Sequence, residues 1–226
     1  MSENILPAQA PPAVLGAGLD PVRAQQVYRA VLEAFARPGS RQLLPPSHFP
    51  PALLPMLALA DLETGTHLIE GDDGGWGPVL AVATGAPAVS QPRAKYVTAL
   101  APVTAATVAR MHTGTARSPE SGATLVLAVD SLDGGDPVRL TGPGLRTECE
   151  FAPRVIDPEI WAAREEKVAE FPAGIDLLFV ARDGSLVGIP RTTAVTHSYR
   201  DGTDPRLLPD PGRSGGGQSD DTEKAY

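Results

Sequence analysis

Two stretches of the sequence crowd charged, hydroxylic and conformationally permissive residues together. The first runs from His112 to Thr124, as His112-Thr113-Gly114-Thr115-Ala116-Arg117-Ser118-Pro119-Glu120-Ser121-Gly122-Ala123-Thr124. Its glycines allow close backbone approach, and exposed N–H groups together with Arg117 suit an anion. Glu120 is placed either to neutralise Arg117 or to position a partner, and a plain surface ion pair of that kind contributes little to stability. The second stretch joins Phe171-Pro172-Ala173-Gly174-Ile175-Asp176 to Gly188-Ile189-Pro190-Arg191-Thr192-Thr193. Asp176 stands in an apolar run, where an unpaired carboxylate is costly, so it must be paired, hydrogen-bonded or at a solvent-facing strand entry. Arg191, followed by Thr192 and Thr193, has the composition of a site for an anion or a carboxylate. Either Arg191 and Asp176 satisfy each other, or they serve a ligand; perturbed charges do both. A smaller signal, Arg37 in Ala36-Arg37-Pro38-Gly39-Ser40, is chiefly a helix stop, with an arginine suited to a subunit interface.

Other chemistries lack their residues. No GxxxxGK[ST] loop and no GxGxxG at a strand–helix junction occurs, nor HExxH, CxxC or an EF-hand loop. The four histidines, His48, His67, His112 and His197, form no i, i+4 pair, so no metal site is expected. Of the three lysines, Lys224 is in the C-terminal tail and Lys167 lies among Glu165, Glu166 and Glu170. Lys95, at the start of a strand, is the remaining candidate for Schiff-base chemistry, which needs a pocket that depresses its pKa. One cysteine, Cys149, excludes an internal disulfide framework and an all-cysteine metal cage. With 19 basic against 27 acidic residues the formal charge is −8, which offers no counterion-releasing surface for nucleic acid. No apolar run approaches the roughly 20 residues of a membrane helix, and no secretory signal is visible, so a cytoplasmic location is expected.

These residues must be held by a single core. Residues 1–19 and 201–226 read as a flexible arm and a disordered tail, leaving 20–200 as one domain. Asp20-Pro21 opens a helix whose Val27, Ala30, Val31, Ala34 and Phe35 recur on one face, and Arg37-Pro38-Gly39 stops it. A second helical stretch is expected over Pro50 to Leu62, and a third from Asp157-Pro158 to about Glu170. Strands are expected at Thr66–Glu70, Val79–Ala83, Lys95–Ala99, Thr124–Val129, Val138–Thr141, Glu148–Phe151, Ile175–Val180 and Leu186–Ile189. Asp133-Gly134-Gly135-Asp136 reads as a hairpin turn that makes the two strands around it antiparallel neighbours. Leu125–Val129 and Ile175–Val180 are apolar on both faces, which argues for central strands with helices on each side of a mixed sheet.

Taken in order, Ala36-Arg37-Pro38-Gly39, Thr113-Gly114-Thr115, Pro119 to Leu125, Leu140-Thr141-Gly142-Pro143-Gly144, Phe171 to Leu177 and Ile189-Pro190-Arg191-Thr192-Thr193 resemble the ordered signatures of the PhnH family. The resemblance covers about residues 20 to 197. It implies a three-layer α-β-α fold similar to pyridoxal-phosphate-dependent transferases, without the cofactor lysine and without a cofactor. It further implies a homodimer that joins PhnG, PhnI and PhnJ in the carbon–phosphorus lyase core complex. That complex attaches methylphosphonate to the ribose of ATP, displacing adenine, before the C–P bond is cleaved. The radical step needs a cysteine-ligated cluster that one cysteine cannot hold. On this reading Arg117, Glu120, Asp176, Arg191 and Thr192 are binding candidates, for a phosphonate or nucleotide intermediate, and Arg37 is an interface candidate. The rival readings are an independent phosphonate- or nucleotide-acting enzyme using Arg117, Glu120 and Arg191, and a degenerate transferase that retains its cofactor.

Overall fold

The computed structural model of the chain describes residues 18–71, 74–154 and 157–197, so the arm, all but its last two residues, and the tail lie outside the described residues. In chain order the elements are α1 (Pro21–Ala36), β1 (Gln42–Leu43), α2 (Leu54–Leu59), β2 (Thr66–Ile69), α3 (Trp76–Thr84), β3 (Tyr96–Ala99), α4 (Ala105–Ala109), β4 (Thr124–Val129), β5 (Val138–Thr141), β6 (Cys149–Phe151), α5 (Ile160–Val168), β7 (Asp176–Ala181), β8 (Ser185–Ile189) and β9 (Ala194–His197). The class is α/β with a mixed sheet. Six strands run in the order β1-β8-β7-β4-β3-β2, with β2, β3, β4 and β7 parallel, β8 antiparallel to β7, and β1 antiparallel to β8. A separate antiparallel sheet has the order β6-β5-β9.

The two-faced strands explain the layering. Along β4 and β7, Leu125, Leu127, Leu177 and Phe179 point into one core, while Val126, Leu178 and Val180 point into the other. The second core is closed by α1, α2 and α3. The first is closed by α4, α5 and the small sheet, so that layer is not purely helical. There Phe179 packs between Phe151 (ring centroids 5.3 Å apart) and Trp161 (5.5 Å), burial for which aromatic truncation typically costs about 3–5 kcal/mol. On the opposite face α1 lies directly over β8, because a Cβ on Gly188 would come within 2.8 Å of the Ala34 backbone. Asp20 begins α1 as expected, its carboxylate accepting from the Arg23 N–H at 3.0 Å, with Pro21 in the first turn.

Two expectations fail. The Val79–Ala83 segment is helical, within α3, because a short run that is apolar throughout has no period to tell strand from helix. Its ends decide: the Glu70 carboxylate accepts from the Gly75 and Trp76 N–H groups at 2.8 and 2.7 Å, and Gly85 closes the helix in a left-handed conformation. The turn around Gly134 does not form a hairpin between β4 and β5. Both edges of β4 are taken by β3 and β7, so the chain turns away into the second sheet, where β5 pairs with β6 and β9. The stretch expected as a second helix is a 3-10 turn at Pro51–Leu53 followed by the short α2, and α5 is shorter at both ends than expected. Asp157 accepts from the Glu159 N–H at 2.9 Å just before α5, as a residue opening that helix should, and its other oxygen accepts from the Ala105 N–H at 2.6 Å, serving the start of α4, which the sequence reading did not place. No helix of the described residues is long and apolar enough to cross a membrane.

Candidate functional site

The charged residues singled out in the sequence converge at the amino ends of the parallel strands. Asp176 is the first residue of β7 and stands opposite Thr124, the first of β4. Because β8 returns antiparallel to β7, Arg191, just past the end of β8, arrives at the same place. Its Nη2 donates to Asp176 Oδ2 at 2.6 Å and its Nε to Oδ1 at 3.2 Å, while its backbone N–H donates to Oδ1 at 2.8 Å. The remaining donors of Nη1 go to the carbonyls of Pro119 (2.6 Å) and Pro172 (3.4 Å). The pair is largely shielded, with side-chain exposures of 12% for Arg191 and 19% for Asp176. This bidentate geometry answers how a carboxylate can head an apolar strand.

Two more cations serve the same junction. The Lys95 ammonium donates to the carbonyls of Gly122, at 2.6 Å, and Glu120. Burial lowers its pKa, and Asp176 opposes that shift. Arg164, only 2% exposed, donates through Nη2 to the carbonyls of Pro190 (2.8 Å) and Thr193 (3.0 Å). Burial pulls it down to about 10, again against the pull of Asp176, so it stays charged at neutral pH. Apart from the Arg191 donors that meet Asp176 and the buried Arg164 Nε, which has no partner among the described residues, the lysine and arginine donors here go to backbone carbonyls of the 119–122, 172 and 190–193 segments. The junction is a clamp on loops, built to hold rather than to receive.

The other candidates are not drawn into that clamp. Arg117 and Glu120 are both exposed and do not form an ion pair with each other among the described contacts. Thr192 is exposed beside a buried Thr193. Arg37 is exposed, follows α1 and pairs with Glu33 at 3.0 Å, one turn back. Sequence reasoning had left Asp176 and Arg191 open between mutual pairing and ligand binding; in the structure they pair.

A ligand-sized space lies at the opposite, carboxyl edge of the sheet. A cavity of about 520 Å³ opens over the ends of β2, β3, β4 and β7, with a largely apolar lining that includes Trp76, Val103, Ala128 and Ile160. In open parallel sheets this edge is where ligands bind, because the strands end there and the connections diverge. Its acids are already engaged: Glu70 caps α3, and Asp130 accepts from Arg182 at 2.7 Å. Arg154 stands exposed at the rim, its guanidinium over Gly134, with no acidic partner among the described residues. The lining therefore suits a molecule with an apolar body and one anionic group. None of these residues was singled out from sequence. The available signal was positional, since Glu70, Asp130 and Arg182 each fall one residue beyond the end of a strand.

Residues 18–196 match the family model described as bacterial phosphonate metabolism protein (PhnH). The chain is 34% identical over 192 residues to the alpha-D-ribose 1-methylphosphonate 5-triphosphate synthase subunit PhnH of Rhizobium meliloti (strain 1021), covering 79% of this chain and 93% of that protein. It is 32% identical over 177 residues to a protein of Stutzerimonas stutzeri named as a C-P lyase subunit, HtxG, covering 76% of this chain and 86% of that protein.

Proposed function

This chain belongs to the PhnH family of bacterial phosphonate metabolism proteins, and we propose that it acts as a subunit of the carbon–phosphorus lyase core complex in organic phosphonate catabolism, contributing assembly and a ligand cavity rather than bond-breaking of its own. The observation that carries the reading is near end-to-end similarity to a subunit of the ribose methylphosphonate triphosphate synthase, over 93% of that protein's length. The geometry supports the assisting role. Lys95, Arg164 and Arg191 at the amino edge are engaged by Asp176 and by backbone carbonyls, so none of the three is presented to a substrate there.

The family resemblance supplies the finer proposals. The chain works in the cytoplasm, pairs with a second copy, and joins the subunits PhnG, PhnI and PhnJ. Its fold is kin to that of the pyridoxal-phosphate-dependent transferases without their cofactor chemistry. In support of the last point, the Lys95 amine is held by two carbonyls and the Lys167 amine donates to Met111 O at 3.1 Å, so neither presents a free amine for a Schiff base. The phosphorylated intermediate is assigned to the carboxyl-edge cavity, with Arg154 meeting its charge. Arg117, Glu120 and Thr192, exposed on the amino side, are assigned to contact with another subunit, as is Arg37.

The test separates assembly from binding. Ala128→Phe puts a large ring at an exposed position of β4 that lines the cavity. Co-expressed with the neighbouring subunits, this variant is expected to enter a complex of unchanged size yet to support little growth on methylphosphonate as sole phosphorus source. Growth at the unsubstituted rate would remove the cavity from the proposal. Failure of the unsubstituted chain to co-purify with any other subunit would remove the assembly role.

A further inference from the structure

The charges around the carboxyl-edge cavity bear on how many phosphate groups a ligand there can carry. The ionisable side chains in its wall are Glu70, Asp130, Arg154 and Arg182, two acids and two bases. Arg182 is committed to Asp130, donating to Oδ1 through Nε at 3.0 Å and Nη2 at 2.7 Å. Glu70 is held at the mouth by the Gly75 and Trp76 N–H groups, both on its Oε1. Acids continue outside the wall. Asp133 and Asp136 are exposed on the turn that Arg154 overlies; Asp133 pairs with Arg41 at 2.7 Å, and Asp136 pairs with no cation among the described residues. Asp157 stands at the start of α4, two residues beyond the wall residue Val103. Five carboxylates thus surround the opening, against the guanidiniums of Arg41, Arg154 and Arg182.

Of those three, Arg154 is the cation without an acidic partner among the described residues, and the fold fixes where it stands. Its backbone N–H donates to Ser131 O at 3.0 Å, and the Gly135 N–H donates to Ala152 O at 2.9 Å, which ties its segment to the turn on both sides. A Cβ on Gly134 would come within 2.9 Å of Arg154 Nη2, so the glycine makes room for the guanidinium. A guanidinium presented in this way can meet one phosphoryl group through paired N–H donors. A second and a third phosphate would find carboxylates around them instead, and like charges at close range oppose binding. We propose that the cavity selects a ligand with an apolar body and a single phosphoryl group, and rejects a polyphosphate on the same body. The selection rests on the assignment of this cavity to a phosphorylated ligand and names the class it takes.

Two probes with one body test it on the full-length chain: 1-naphthyl phosphate and 1-naphthyl triphosphate, titrated by calorimetry in magnesium-free buffer. The monophosphate is expected to bind at least about tenfold more tightly, and added sodium chloride should narrow the gap, because salt screens both the attraction to Arg154 and the repulsion by the acids. Arg154→Ala, at an exposed position, should weaken the monophosphate at least about fivefold. Asp133→Asn combined with Asp136→Asn should tighten the triphosphate several-fold and leave the monophosphate within about twofold. Triphosphate binding as tight as that of the monophosphate, with Ala128→Phe abolishing both, overturns the selection while the cavity stands as the ligand site. A triphosphate affinity unmoved by the double change overturns the acidic rim as its cause. Monophosphate binding that survives Ala128→Phe, or no binding of either probe at millimolar concentration, overturns the cavity assignment and the selection together.

Discussion

A carboxylate at the head of an apolar strand is costly unless a partner meets it, and Asp176 is met by three hydrogen bonds from Arg191. That converts an apparent binding residue into a structural one. Removing one member of a shielded ion pair strands the other charge, which is worse than removing both. Arg191→Ala is therefore expected to lower stability by about 3 kcal/mol, while the double change Arg191→Met with Asp176→Leu should recover a large part of the loss. Guanidinium unfolding of the three proteins reads this directly; a single-variant loss under about 1 kcal/mol would return Arg191 to the list of ligand contacts. The sequence made the dilemma at Asp176 legible, since a lone acid among Ile175, Leu177 and Leu178 has to be resolved somehow. It did not show the resolution, because that depends on β8 folding back on β7 to deliver a residue fifteen positions away. Lys95 and Arg164 were harder still. Nothing in their local sequence marks them as donors to loops remote in the chain.

Some elements rest on a local signal and others on context, and a local signal alone does not suffice, since the Asp133–Asp136 turn forms no hairpin between β4 and β5. The β7–β8 hairpin is of the first kind: Arg182-Asp183-Gly184 marks the turn, and Gly184 takes a positive φ there. Its acid is tied in by Ser185, whose hydroxyl and N–H donate to Asp183 at 2.6 and 2.9 Å. The hydroxyl bond, then the backbone bond, holds the Asp183 carboxyl below its usual pKa. A carboxyl depressed in the folded state adds stability above its unfolded pKa, near 3.9, and that contribution fades as pH falls through the folded value. Asp183→Asn should thus flatten the acid limb of a plot of melting temperature against pH below about 4, leaving the neutral region with a small, nearly constant offset. An acid limb of unchanged slope would show that the hairpin turn is not among the groups that titrate on unfolding. Helix α3 is of the second kind. Its identity rests on a carboxylate from the end of β2 and on Gly85, both outside the apolar run itself.

At the scale of the whole molecule, the two edges of the sheet divide the work. The amino edge is ion-paired shut, and the carboxyl edge opens into the cavity; no local pattern predicts that cavity, because its walls come from four strand ends and the segments between them. The class and the covering of both sheet faces were legible, since Leu125–Val129 and Leu177–Val180 had to be buried on both sides, whereas the small sheet within one cover was not. The same division bears on the C-terminal residues. The last strand, β9, ends at His197, pairs with β5 across four residues, and completes the small sheet; the family match stops at 196. Residues 201–226 hold six acids and three bases, a net −3 of the chain's −8, and are rich in glycine, serine and proline rather than in core-forming side chains. Ending the chain at Arg200 should leave the unfolding midpoint within about 0.5 kcal/mol of the intact protein and leave co-purification with the other subunits unchanged, because a segment of this composition offers little apolar surface to bury. Sizing of the co-expressed complex decides the second point: a truncated chain that folds normally but elutes alone would make the acidic C-terminal segment, rather than the folded domain, the element that docks.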